Sequence, residues 1–400
     1  MSGQPSAGRR LRVALVLKTS EGGAWTVPHV DRLRARGHEV VALLPAGPGR
    51  LRTALAERGV PVLDSAFDFR FRPAPAAVRG LVGLRRQLRG LRPDVVHYHL
   101  YASALAGRLC GLGLRARRVH MVAGPLYLDS PVIRSVERLL VRLDHLTIAG
   151  SEHTAARYRA LGVPAARTPV IPYGVDTGRF TPPSAAERAR ARAALGIADD
   201  ILLAVMVAYV YAPKRAVYAG RGIKGHDVLL AAWRAFHAAA PKSHLLVVGA
   251  GFDAAGEAYR QELLARYGVG GEPSVTWLSS VADVREYYRA ADVSVSPSLS
   301  ENHGAALEAG AMGLPSIVSD AGGLPETVDP AAGWLVPRGD AAPLAAALGM
   351  AYREFEVGVL ADRGRRARRR TVVLFDRDHA AERVADAVER CAGTGTGVRS

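Results

Sequence analysis

The stretch "SENHGAALEAGAMGLPSIVSD", Ser300 to Asp320, carries two carboxylates, Glu301 and Glu308, seven positions apart around Gly304. Ionised carboxylates accept hydrogen bonds in pairs, which suits the neighbouring hydroxyls of a sugar or a ribose. A glycine ahead of a helix start lets a phosphate come close to the backbone, where unpaired N–H groups face it. Upstream, "YAPKRAVYAGRGIKGHD" offers Lys214, Arg215, Arg221 and Lys224 in a glycine-containing loop ahead of a helix expected to open at Gly225. Cations there could meet phosphate. Hydroxyls on both sides of a diphosphate describe a nucleotide sugar. Ordinary solvated glutamates and a solvated basic loop are the competing reading, and spacing alone does not separate the two.

These residues are positioned by a regular alternation. Short apolar runs ("RVALVL", "EVVALLP", "VPVLD") alternate with amphipathic segments, and the pattern returns after residue 200 ("ILLAVMVAYV", "SHLLVVGAG", "DVSVSPS"). Alternation of this kind predicts βαβ units with parallel sheets, here in two Rossmann-like halves. Crowded prolines and glycines in "IPYGVDTGRFTPPS" mark a boundary near residue 174. The expected division is an N-terminal domain over 1–173, a hinge over 174–200 and a C-terminal domain over 201–400, with the last helix returning to the first domain. Open parallel sheets bind ligands beyond the carboxyl ends of their strands. "DVSVSPS" reads as a strand and "GAALEAGAMG" as a helix, so Glu301, Asn302, His303 and Gly304 fall on a strand-to-helix loop, with Ala305 opening the helix and Glu308 in its first turns.

At this point the chain resembles family 4 of the retaining glycosyltransferases, through "PSLSENHGAALEAGAMGLPSIVSDAGGLPE" (297 to 326), "DVVHYH" (94 to 99), "VIPYGVDTGRF" (170 to 180), "KGHDVLLAAW" (224 to 233) and "LLVVGAG" (245 to 251). The resemblance covers most of residues 90 to 340. It implies an α/β fold of two facing Rossmann-like domains with parallel sheets, the GT-B type. The implied enzyme is metal-independent, needs no cofactor, and moves a hexosyl group from a nucleoside-diphosphate sugar to an acceptor hydroxyl. It would work by front-face displacement, the leaving phosphate helping to deprotonate the acceptor. Glu308 would then hold the ribose, Glu301 the sugar hydroxyls, and Lys224 the diphosphate together with a second cation, Arg215 first, with Lys214 and Arg221 as the alternatives. Asn302, His303, Gly304, Ala305, Gly249 and the glycine pair Gly22 and Gly23 of "SEGGAW" fall on the donor side. His99, His120 and Tyr127 fall on the acceptor side. Four positions depart from the family pattern: the glutamates stand seven apart instead of eight, Tyr173 replaces the usual Asn, the usual Arg is missing around Tyr209, and Ala123 stands where a His is common.

Other readings remain beside this one. "GAGFDA" (249 to 254), with Glu272 further on, fits a dinucleotide fingerprint and would suit an NAD-dependent oxidoreductase, although "DAAGEAY" is expected to interrupt the helix that motif requires. A non-catalytic nucleotide-sugar or polyanion binder is the third class. "DRDH" (376 to 379) precedes a helix and does not end a strand, so no metal is expected there. His97 and His99 of "DVVHYH" are read as diverging, with His99, nearest the strand end, toward the ligand.

The net charge of +16 comes almost wholly from arginine, lysine standing only at positions 18, 214, 224 and 242. This is the bias of a GC-rich coding sequence, so no nucleic-acid partner is expected. Two separated cysteines and no long apolar run point to a cytoplasmic protein. The leucine and arginine helix over 76–92 could touch an acidic membrane at the inner face, or pack its leucines on the sheet. The acceptor is left open among a lipid-linked glycan, a surface polysaccharide and a small natural product.

Overall fold

The structure, a computed structural model, describes residues 9–213 and 218–393. Its contacts divide the chain into two compact units, Met1–Tyr173 with Arg377–Ser400, and Gly174–Asp376.

The first unit is built on strands β1 (Arg12–Val16), β2 (Glu39–Leu44), β3 (Val62–Asp64), β4 (Val95–His99), β5 (Arg117–Val122) and β6 (Leu146–Ala149). They pair in parallel in the order β3-β2-β1-β4-β5-β6. Most of these strands bury both faces, as strands covered by helices on two sides must, so their sequences run apolar without alternation. On one face Leu15, Val30, Leu55 and Ile148 pack with Val384 and Val388 of the last helix, Arg377–Ala392. On the other, Val96 and Tyr98 pack with Leu84 and Leu88 of the helix Pro75–Leu91. The leucine stripe of that helix is therefore used for packing, while Val78 and Val82 remain exposed. No helix among the described residues is long and apolar enough to cross a membrane.

The second unit repeats the plan with β7 (Leu202–Val207), β8 (Ser243–Val248), β9 (Val275–Leu278), β10 (Val293–Ser296), β11 (Ser316–Ser319) and β12 (Gly333–Val336), in the order β12-β11-β10-β7-β8-β9. Residues 174–200, expected as a hinge, belong to this unit. They contain the helix Ala185–Leu195, opened by a reciprocal cap between Ser184 and Glu187. Arg188 and Arg192, one helical turn apart, both grip Asp292 at the entry to β10, and Asp292 also accepts the Leu203 N–H at 2.8 Å. That triangle fastens the segment to the sheet.

In each sheet the order reverses once, between β1 and β4 and between β7 and β10. At such a point successive connections leave to opposite faces, opening a crevice at the carboxyl ends of the two strands.

Candidate donor site and acceptor-side residues

In the second unit the crevice between β7 and β10 is flanked by the loop bearing Lys224 and the loop bearing Glu301. The Leu299 N–H donates to the Ile223 carbonyl at 2.8 Å, stitching the loops together. Gly225 has φ +72°, and a Cβ there would stand 2.1 Å from the Pro297 carbonyl oxygen, so only glycine permits this approach. The result is an ion pair between Lys224 Nζ and Glu301 Oε2, each side chain 18% exposed. Burial by itself would lower the Lys224 pKa, but the charge and hydrogen bond of Glu301 outweigh it and the ammonium is held above its ordinary range.

Glu301 is fixed from two further sides. Its Oε1 accepts the Asn302 N–H at 3.1 Å, and its carbonyl accepts the Gly323 N–H at 3.2 Å. Gly322, at φ +58°, comes so close that a Cβ would lie 1.9 Å from the Glu301 carbonyl oxygen. The carboxylate itself folds back over Gly304, where a Cβ would meet it at 2.9 Å. These contacts hold Glu301 turned toward Lys224.

Glu308 lies in the helix Ala305–Ala311. Burial raises its pKa from 4.5 to about 7, against the opposing effects of the Tyr288 hydroxyl, which donates at 3.3 Å, and the Arg179 charge. A hydrogen bond donated to such a carboxyl favours its ionised form.

Other donor-side expectations change on inspection. His303 is 3% exposed, its ring edge-on to Phe375 at 5.0 Å and its Nε2 3.7 Å from a Glu326 carboxylate oxygen. Asn302 and Ala305 stay half-buried beside Glu301 and at the helix start. Arg221 engages Asp227 and the Gly339 carbonyl, at 2.8 and 2.9 Å. Arg215 and Lys214 lie outside the described residues. Gly249 has a packing reason for being glycine, since a Cβ there would stand 2.0 Å from the Ala208 carbonyl oxygen.

The dinucleotide reading of "GAGFDA" fails for a reason other than the one expected. The helix Ala254–Tyr267 runs through "DAAGEAY" uninterrupted, capped by Asp253, which accepts the Gly256 N–H at 2.8 Å. The Glu257 carboxylate accepts the Gly251 N–H at 2.9 Å, so a negative group already sits where a pyrophosphate would need that donor. Glu272, the acid a ribose would require, is taken by the backbone and hydroxyl of Ser274.

In the first unit, Gly22 and Gly23 lie in the loop after β1. Thr19 Oγ1 accepts the Gly22 N–H at 3.1 Å, and Gly23, at φ +102°, opens the short turn Ala24–Thr26. The loop is a tight connection at the carboxyl end of the strand. His99 is fully buried, contrary to expectation: its Nδ1 lies 3.0 Å from the Tyr173 hydroxyl. His97 and His99 do not diverge; two positions apart on a strand they share a face, and their rings stack at 4.6 Å. Burial drives the pKa of His97 down to about 4 and that of His29 to about 3, so this cluster is neutral.

His120 is likewise buried, 3.2 Å from a guanidinium nitrogen of Arg108. Arg108 pairs with Glu137 and Asp144 at 2.6 Å each, all three away from solvent. Burial first, then the Arg108 charge, holds His120 well below its ordinary pKa. It sits in a buried polar network with Arg108, Glu137 and Asp144, its Nε2 without a hydrogen-bond partner among the described residues. Tyr127 bonds the Tyr158 hydroxyl and stacks on Tyr101 at 4.3 Å, which fixes the ring in the same network.

Three participants escaped the sequence reading: Tyr288, Gly323 and Asp227. Only the "AGG" of the motif carried a signal, two glycines after a strand. Tyr173 was noticed as a departure, and the structure explains it: the phenol, 9% exposed, fills the space between His29, His99 and Trp25 that the shorter Asn would leave empty.

Comparison with known proteins fits this geometry. Residues 27–179 match the family model described as Glycosyltransferase Family 4, and residues 213–354 match Glycosyl transferases group 1. The D-inositol 3-phosphate glycosyltransferase of Streptomyces avermitilis is 31% identical over 331 residues, 76% of this chain and 67% of that protein. The chain belongs to the family 4 glycosyltransferases. The matching region begins at residue 27, further toward the N-terminus than the quoted motifs reach. The enzyme of the same name from Geodermatophilus obscurus is 32% identical over 275 residues, and there the matched stretch spans 58% of the relative and 64% of this chain. Among solved structures, this family member superposes on Anabaena HepE in complex with UDP with a TM-score of 0.78 at 19% identity, covering 95% of this chain and all of that one. Sucrose-phosphate synthase from Thermosynechococcus elongatus gives 0.76 at 22% identity, over 95% and 99% of the two chains. These likenesses establish the two-unit α/β fold of GT-B type.

Proposed function

We propose that the protein transfers a glycosyl group, with retention of configuration, from a nucleoside-diphosphate sugar to a hydroxyl acceptor. The observation that carries this reading is the Lys224–Glu301 ion pair at the reversal point between β7 and β10, followed by the half-buried carboxyl of Glu308. Donor binding replaces that pair: the diphosphate takes Lys224, and the released Glu301 accepts from sugar hydroxyls. In the transfer step the bond from the anomeric carbon to the phosphate oxygen breaks and the bond to the acceptor oxygen forms on the same face. The acceptor proton passes to the departing phosphate oxygen. Charge develops on that phosphate, and a fixed ammonium there lowers the barrier. Neither metal nor cofactor enters this scheme.

HepE has been solved with UDP-glucose and the curated relatives are named for D-inositol 3-phosphate, so these define the first donor and acceptor to try. Calorimetric titration with UDP, GDP, ADP and NAD is expected to give binding of one diphosphate and none of NAD. Binding of NAD alone would overturn the reading.

Glu308 adds a pH signature. Its folded-state pKa is raised, so between 4.5 and about 7 the unfolded chain ionises before the native one and stability declines with pH, with a constant cost above that window. A hydroxyl donating to Glu308 favours the carboxylate, so donor binding releases a proton. Affinity for a nucleotide sugar, whose diphosphate diester keeps its charge from pH 6 to 8, should rise about tenfold per pH unit below the pKa and level off above it. Glu308→Gln should flatten this profile and raise the donor KM more than it lowers kcat. A flat wild-type profile would remove Glu308 from the ribose site.

A further inference from the structure

At the opposite edge of the first unit's sheet, at the amino ends of β5 and β6, lies a cavity of about 650 Å³ lined by Arg117, Arg118, Arg142, Arg167, Arg390 and His145, among others. The arginines come from separate elements: the start of β5, the turns Val141–Leu143 and Ala165–Arg167, and the last turn of the helix Arg377–Ala392. The fold alone brings them together.

Their charge is uncompensated. The lining contains one carboxylate, Asp144, and it is buried and committed to Arg108 at 2.6 Å. Arg118 donates to the carbonyls of Leu143 and Gly111 at 2.5 and 3.1 Å, and Arg167 to those of His145 and Asp144. Carbonyls hold these guanidinium groups in place without neutralising them. Arg117, Arg142 and Arg390 form no ion pair among the described residues. The contrast with Arg36 of the same unit, which meets Glu382, Asp386 and Glu389, is direct. His145 registers the field: burial, then Arg118, Arg117 and Arg167, bring its pKa down to about 4, so the imidazole is neutral and its Nδ1 accepts the Arg118 N–H at 3.0 Å.

A concave wall of five guanidinium groups calls for an anion with several oxygens. The planar fork of arginine matches phosphoryl oxygens two at a time, and phosphate spreads more than one charge over them. The volume falls within the usual span of small-ligand pockets. We propose that this cavity binds a multiply charged phosphate anion, either a free oligophosphate or a phosphate-bearing headgroup, at a site separate from the donor residues. All of its residues belong to the first unit, whereas Lys224, Glu301 and Glu308 belong to the second.

The test uses the full chain, tripolyphosphate as probe, and an Arg117→Ser/Arg390→Ser double variant. Both positions are exposed and hold no bond the fold depends on, and an unchanged thermal melt checks that. Titration calorimetry should show one tripolyphosphate site in the wild type, steeply weakened by salt. The double variant should bind roughly tenfold or more weakly, with UDP affinity unchanged. Co-sedimentation with phosphatidic acid vesicles, retained by the wild type and lost in the variant, would name a headgroup as the source. Soluble binding alone would name a free anion. No tripolyphosphate binding, equal binding by the variant, or displacement by UDP would each overturn the site.

Discussion

Replacing Lys224 by alanine is expected to lower turnover roughly a hundredfold or more, about 3 to 4 kcal/mol, the scale on which a fixed donor to a developing oxyanion acts. Two effects combine. The leaving diphosphate loses the ammonium held at the β7/β10 reversal, and the Glu301 carboxylate, 18% exposed, loses the cation that balances it. An incoming diphosphate then meets an unpaired negative charge, so donor affinity should fall together with kcat. Lys224→Arg should recover part of the rate, since it restores charge without the same reach. The measurement is steady-state transfer from a nucleotide sugar, with calorimetry of the nucleoside diphosphate alongside. An unchanged rate with the nucleotide still bound would move the cationic role to another residue, Arg215 first.

Glu301→Gln separates the two ligands of the same loop. Glutamine keeps the size of the side chain, its place over Gly304 and an acceptor for the Asn302 N–H, but ends the ion pair with Lys224. Because Lys224 no longer has to leave a carboxylate in order to meet phosphate, affinity for the free nucleoside diphosphate should hold or improve. Transfer should drop by about ten- to a hundredfold, the loss expected when a charged acceptor of sugar hydroxyls becomes neutral. Measuring kcat/KM for the nucleotide sugar against Kd for the nucleoside diphosphate reads both effects. If transfer persists while His303→Ala abolishes it, the sugar contact belongs to His303, which would then have to leave its packing on Phe375.

What could be read without coordinates was local. Strand and helix periods, the glycines at 225 and 304, the Lys-Gly pair and the carboxylates after an apolar run are short-range patterns, and each sets backbone geometry by itself. They were enough to place Glu301 and Lys224 on loops that follow strands, at the carboxyl edge of the second sheet. Gly256 shows where local reading fails. It reads as a break in "DAAGEAY", yet the helix passes through it, and the residue is glycine because a Cβ there would stand 2.3 Å from the Val210 carbonyl oxygen. Close packing, not conformational freedom, is the reason for that glycine.

Partnership and burial were decided only by the tertiary structure. Lys224 meets Glu301 because β7 lies beside β10, a neighbourhood that strand order creates between residues 77 positions apart. Tyr288 reaches Glu308 from 20 positions away, and the desolvation that brings that carboxyl to about 7 comes from what is packed around it. The same cause holds His99 and His120 well below the ordinary imidazole pKa, and packing sets His303 against Phe375. A histidine's spacing says nothing about the water around it, and it is the loss of that water that disfavours the charged ring.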